Sequence, residues 1–149
     1  VQEDFCILQP GGEGEHILSG AILCFPSEWT LAEKFMRPLS RIHRPVAPYD
    51  ANIAARVQRM FDAVPPGRVL WRANAHPYDD PSLFMPRPEV PPRRRAQWSA
   101  PFVRSERQCI LRLPEAGAIV FSIHTYVLRR EDLSPEQRAT LPGAGEARG

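Results

Sequence analysis

The sequence predicts an α+β domain, an antiparallel sheet with helices packed on one face, and three observations lead there. The chain of 149 residues is long enough for one sizeable core and too short for two independent ones. Its apolar runs come as two strand-like segments, then helix-like segments, then three strand-like segments, with no βαβ alternation and no internal repeat. Turn-forming residues separate the first two runs and the last two, so these neighbours are expected to pair antiparallel.

Residues 5–9 and 16–25 flank Pro10, Gly11, Gly12, Glu13 and Gly14, whose composition permits a reversal, and together they read as a hairpin. Thr30 followed by Glu33 has the spacing of a capping box, and Leu31, Phe35, Leu39 and Ile42 then line one helical face. Pro38 interrupts that face. Two short helices are therefore expected, the second opening at Pro38, where a missing N–H costs little, and closing near His43. Arg44 before Pro45 then favours an extended path.

Asp50 is a good N-cap for a longer helix whose Ile53, Val57, Met60, Phe61 and Val64 form an apolar stripe, ended by Pro65, Pro66 and Gly67. Residues 69–74 read as a strand, and the proline-rich residues 75–100 as a long loop or functional flap. Residues 102–113 and 118–128, joined by Pro114, Glu115, Ala116 and Gly117, form a second hairpin. Ser134 caps a last short helix, and a Gly- and Ala-rich tail over 142–149 is expected to fray. The chain thus divides into a domain over 1–130 and a terminal helix and tail over 131–149. A PAS domain has this element order, with its ligand between sheet and central helices; the pattern alone leaves it one candidate among several.

Net charge is +2, and the arginines are spread along the chain except for Arg93, Arg94 and Arg95, so a nucleic-acid footprint is not indicated. Lys34 is the sole lysine. Nearly every other cation is a guanidinium, suited to gripping carboxylates or propionates at two points, although genome composition gives the same bias. Cys6, Cys24 and Cys109 lie far apart beside apolar residues, which predicts buried thiols in a reducing compartment rather than disulfides. No apolar run approaches the roughly 20 residues of a membrane span, and no signal peptide opens the chain, so the expected location is the cytoplasm with no membrane partner. Val1 stands where a Met would open a primary translation product, which fits a processed chain or an excerpt. GxGxxG, P-loop, GxSxG, HExxH and CxxC signatures are absent.

Among residues able to carry chemistry, His43 stands at a helix end beside Ile42, where an imidazole can enter a pocket and bind haem iron, or can simply meet the last helical carbonyls. His16 and His76 offer less. His124 alternates with Val120, Ser122 and Tyr126, so it lines a cavity or faces water. Arg72 could hold a carboxylate and Asn74 supply an amide hydrogen bond; the plainer reading is an amphipathic strand with Trp71 in the core. Glu106, beside Arg107 and Gln108, would need a cation such as Arg72 or an ammonium substrate if it points inward, and otherwise joins a surface ion pair across strands. Asp79 and Asp80 point apart on an extended chain and read as a turn before Pro81. The Arg93–Arg95 run reads as solvated, with an acidic partner or a cofactor phosphate as the alternative.

Several stretches, taken in order, resemble the haem-dependent oxidative N-demethylase alpha-subunit family. They are Val1-Gln2-Glu3-Asp4-Phe5; Cys24-Phe25-Pro26-Ser27 with Trp29 and Leu31-Ala32-Glu33-Lys34; Arg37-Pro38-Leu39 with Ile42-His43, Pro45-Val46 and Pro48-Tyr49; Trp71-Arg72 with Asn74 and Asp79-Asp80-Pro81; and Glu106-Arg107-Gln108 with Leu111-Arg112-Leu113-Pro114 and Thr125-Tyr126. The resemblance implies a PAS-like domain that binds haem b through His43. It also implies oxidative removal of a methyl group from a small secondary amine, such as dimethylamine, with O2 and electrons from partner reductase subunits. FMN and iron-sulfur centres are expected only on those partners. Arg72 and Glu106 match the polar distal site, and Glu106, Arg72, Asn74 and His124 become the expected substrate contacts. The chain departs from the family at Ala75, where a tryptophan is expected, at His124, where Arg or Lys is expected, and in a shortened, arginine-rich stretch over 86–99. The same scaffold would also serve a non-catalytic haem sensor or a cofactor-free interaction module.

Overall fold

In the computed structural model, which describes residues 1–12, 14–43, 51–90 and 96–142, the five strands pair antiparallel in the order β2-β1-β5-β4-β3. They are β1 (Asp4–Pro10), β2 (His16–Ile22), β3 (Val69–Tyr78), β4 (Phe102–Arg112) and β5 (Ile119–Arg129). Between β2 and β3 come α1 (Leu31–Lys34), α2 (Leu39–Ile42) and α3 (Ala51–Ala63); a 3-10 turn (Arg130–Asp132) and α4 (Pro135–Ala139) follow β5. Both expected hairpins form, β1 with β2 and β4 with β5. Non-sequential pairing of β1 with β5 then closes the two halves into one sheet.

Side chains on a strand alternate between faces, and the core shows which face the helices cover. Cys6 and Leu8 of β1, Leu18 of β2, Ile110 of β4 and Ile119 of β5 are buried with Leu39 of α2, Phe61 of α3 and Val64 just beyond it. Trp29, Leu31, Ile42, Val57 and Phe121 pack around them. Each such side chain contributes about 1.5–3 kcal/mol when fully buried, so the helices are held to one face, as the pattern predicts. Leu18 anchors the helical segment further, its N–H donating to the Arg37 carbonyl at 3.1 Å and its carbonyl accepting from Met36 at 2.8 Å.

The end of α3 is fastened from the sheet. Arg112 on β4 donates to the carbonyls of Val64 (2.7 Å), Phe61 (2.6 Å) and Asp62 (3.0 Å), and also to Gly117 (2.7 Å). The last carbonyls of a helix have no partner inside it and carry partial negative charge, so one guanidinium satisfies two of them, Phe61 and Asp62, with Val64 just past the helix, and complements the dipole. Arg112→Met is expected to lower stability by about 2–4 kcal/mol, since hydrogen bonds to a charged group contribute about 1.5–3 kcal/mol each and part is regained from water. Urea denaturation followed by circular dichroism checks this; a loss under 1 kcal/mol rejects it.

Several local expectations are corrected. Thr30 stands before α1, but its hydroxyl donates to the Glu33 carboxylate at 2.6 Å and caps no helical N–H, so the capping box does not form. The Glu33 carboxylate also receives the Glu89 N–H, which draws it away from the Thr30 backbone. Phe35 ends up 45% exposed rather than on an apolar helical face, because the chain leaves the helix there and turns through Met36 at φ 58°. Strand β3 runs on through Ala75, His76, Pro77 and Tyr78 instead of stopping at Asn74. Pro77 is tolerated because β3 lies at the sheet edge. Trp71 is 70% exposed, outside the core, since its register with Cys109 places it on the face away from the helices. Cys6 is buried and its thiol pushed up to about 12, by burial and then by Asp4, whereas Cys24 and Cys109 are only half-buried; all three are free thiols.

Other expectations hold. Pro38 precedes α2 and His43 closes it. Ser134 and Gln137 form a reciprocal capping box on α4. Asp80 accepts the Ser82 N–H at 2.7 Å, a turn as expected. The segment after β3 is pinned, not loose: Met85 bridges Ser27, with Met85 N–H on the Pro26 carbonyl (3.0 Å) and Glu28 N–H on the Met85 carbonyl (2.8 Å). No helix among the described residues is long and apolar enough to cross a membrane. Glu13, Arg44, Pro45, Asp50, the Arg93–Arg95 run and the tail over 143–149 lie outside the described residues.

Candidate functional site

Beside the apolar core, the helix-covered face turns polar, and register determines which groups meet. Asn74 on β3, Glu106 on β4 and Thr125 on β5 are cross-strand partners in one row. Arg72, Gln108 and Ile123 form the next row, and His76, Arg104 and Val127 the row on the other side. Because Arg104, Glu106 and Gln108 alternate in phase with the buried Ile110, all belong to the covered face.

His43 approaches from α2. Its Nδ1 lies 2.9 Å from the Leu39 carbonyl, one helical turn back. A carbonyl only accepts, so Nδ1 carries the proton and Nε2 carries the lone pair. Burial holds the imidazole below its ordinary range; the Leu39 bond opposes that shift, while Lys34 and Arg72 reinforce it. A neutral ring with its Nδ1–H fixed by a backbone carbonyl is the form in which histidine ligates a metal. Among the described residues no group of three or more His, Cys, Asp or Glu side chains gathers into a metal site of its own, but haem carries its iron in the porphyrin and asks the protein for an axial ligand. The donor set fits that group.

Glu106 is neither a surface ion pair nor a partner of Arg72. Arg104, 2% exposed against 13% for the Glu106 side chain, sets its Nε 3.4 Å from the Glu106 carboxylate. The same guanidinium donates to the carbonyls of Phe25 (2.6 Å) and Leu83 (3.2 Å) and to the Thr125 hydroxyl (3.4 Å). Arg72 reaches Glu106 only through an amide: its Nε donates to Gln108 Oε1 at 2.8 Å, and Gln108 Nε2 donates to Glu106 at 3.1 Å. Next to this chain Asn74 Oδ1 is buried with no hydrogen-bond partner, an acceptor without a donor.

Asp4 adds a fully buried carboxylate near the partly buried Glu106. It accepts from the Cys24 (2.6 Å) and Phe25 (2.8 Å) amides. Burial raises its carboxyl above the usual range, and those bonds and Arg104 counter this only in part. Reading residues in sequence as Glu106-Arg107-Gln108 missed both Arg104 and Asp4. The signal was period two: Arg104, Glu106 and Gln108 are polar at alternate positions in phase with Ile110, a polar stripe on a core face.

The structure therefore brings His43, Arg72, Asn74 and Glu106 to one side of the sheet. His124 lies on the other. It pairs in register with Arg107, packs on Tyr126 with ring centroids 4.5 Å apart, and shares the Glu3 carboxylate, 3.3 Å from its Nδ1. Burial works to raise the Glu3 carboxyl, but bonds from Ser122, His124 and Arg107 outweigh it and hold the group low. Ala75 pairs with Ser105 and is also on this outer face, so the departure there leaves the polar rows intact. A surface hollow of about 390 Å³ lined by Pro101, Phe102, Arg129, Arg130, Glu131 and Arg138 shares no residue with the rows.

No curated protein matches the chain significantly. A family model does, over residues 1–144: the chain belongs to the family described as haem-dependent oxidative N-demethylase, alpha subunit-like.

Proposed function

We propose that this chain is a PAS-like haem-binding domain that works as the substrate-oxidising subunit of an oxidative N-demethylase acting on a small secondary amine of the dimethylamine type. The single observation that carries the reading is His43 held as a neutral imidazole, Nδ1 on the Leu39 carbonyl, over the face that bears Arg72, Asn74 and Glu106. The order of two strands, helices and three strands, with every core helix on one face, supports the PAS-like assignment.

Haem b, when bound, supplies the O2-dependent oxidation of the N-methyl carbon. The chain's own residues supply the rest. Glu106 offers a carboxylate to the substrate ammonium, with Arg104 behind it keeping the empty site from holding a lone buried charge. Asn74 Oδ1 accepts a second N–H, which would satisfy an otherwise orphaned acceptor. Arg72, held by Gln108 Oε1 at 2.8 Å, would contribute positive potential to the polar face beside the substrate. Electrons come from partner reductase subunits carrying FMN and iron-sulfur centres. The three free thiols support a cytoplasmic setting.

Glu106→Gln is expected to weaken amine binding about 10- to 100-fold, the worth of one charge-assisted hydrogen bond of about 1.5–3 kcal/mol, while haem stays bound. Titration of the haem spectrum with dimethylamine reads both quantities, and an unchanged amine affinity removes Glu106 from the substrate site. Amine-dependent O2 consumption with a reductase tests the demethylase reading as a whole. Haem binding without turnover would instead mark a sensor built on the same scaffold.

A further inference from the structure

Lys34 is the sole lysine among nineteen basic residues, and its side chain is only 12% exposed. Its ammonium does not make its closest contact with a carboxylate. It donates to the Ile42 carbonyl at 2.6 Å, while Glu89 stands off at 3.9 Å. That carbonyl belongs to the peptide plane whose other end is the His43 N–H, and the N–H is in turn bonded to the Leu39 carbonyl at 3.1 Å. The plane immediately before the imidazole is therefore held at both ends, and the Leu39 carbonyl also holds the ring at Nδ1.

The ammonium is itself fixed from several sides. The Trp29 ring lies 5.7 Å below it. Glu89, which receives Arg41 at 3.0 and 3.2 Å and whose N–H donates to Glu33, locks α1 and α2 to the segment that follows β3. A compact ammonium can meet a single carbonyl at the end of a four-residue helix, where a forked guanidinium would need further acceptors.

We infer that Lys34 is a positioning residue for His43: by clamping the Ile42 carbonyl from α1 it sets the backbone from which the imidazole projects. This rests on the reading of His43 as the axial ligand, but the clamp itself is measurable without haem. In the haem-free chain, long-range 1H–15N spectra should show His43 as a single Nδ1–H tautomer with ring contacts to Leu39. Lys34→Met should yield a mixture of tautomers and lose those contacts, and Lys34→Arg should restore them in part. On haem reconstitution, Lys34→Met should bind haem about 10- to 100-fold more weakly, as expected when a group orienting a ligand is lost. Lys34→Gln, which keeps a donor but is too short to reach the carbonyl, reads the same spectral change should Lys34→Met fail to fold. A folded Lys34→Met or Lys34→Gln chain that retains the single tautomer and the Leu39 contacts overturns the clamp. A His43→Ala chain that binds haem as tightly as the parent overturns the ligand reading alone and leaves the tautomer result to decide on Lys34.

Discussion

Replacing His43 with alanine is expected to abolish the Soret band of the haem-reconstituted chain or to shift it to that of weakly held haem. The expectation follows from ligand chemistry. Iron takes the lone pair of a neutral imidazole nitrogen, and in His43 the Leu39 carbonyl, 2.9 Å from Nδ1, fixes the tautomer that puts the lone pair on Nε2. Burial, with Lys34 and Arg72 adding to it, holds the ring in its neutral form. The fold should survive the change, because the imidazole closes a four-residue helix and the core is built by Leu39, Phe61, Ile110 and Ile119. Circular dichroism should therefore be unchanged while the visible spectrum collapses. A Soret band of parental position and intensity would move the ligand to another imidazole, and with it the whole assignment of the polar rows.

The second large effect is on stability. Arg104→Met should cost about 3–5 kcal/mol, the range found when one partner of a buried ion pair is removed. The guanidinium serves five groups at once: Glu106, the Phe25 and Leu83 carbonyls, the Thr125 hydroxyl and, through its field, Asp4. Loss of the cation leaves Glu106, 13% exposed, without its counter-charge, and removes the sheet's hydrogen bond to the Leu83 carbonyl in the segment after β3. Urea denaturation measures the loss. Changing Glu106 to Leu in the Arg104→Met background should recover part of it, since an apolar pair removes the stranded charge. If Arg104→Met unfolds within 1 kcal/mol of the parent, the network contributes little and Glu106 is hydrated in the folded chain.

Local chemistry was legible where neighbours in sequence decide the outcome. Both hairpins, the break at Pro38, the cap at Ser134 and the position of His43 at a helix end follow from turn residues, alternation and the missing N–H of proline. Even local signals failed when a distant group competed. The Thr30–Glu33 spacing is that of a capping box, but the Glu89 N–H, 56 residues from Glu33, takes up its carboxylate. Strand β3 outran its expected end because a proline that would break a central strand sits harmlessly at an edge, and which strand is the edge depends on the order of all five.

The sequence by itself determined the α+β class, the two hairpins, the helical insertion and the candidate residues His43, Arg72, Asn74 and Glu106. Only the tertiary structure decided that Arg104, and not Arg72, is the cation of Glu106, that Asn74 is left as an acceptor without a donor, and that His124 turns away to Glu3, 121 residues distant. The reason is register. Side-chain direction in a strand has a period of two residues, so the partner of a polar group is chosen by how strands align across the sheet, a relation set by contacts far apart in the chain.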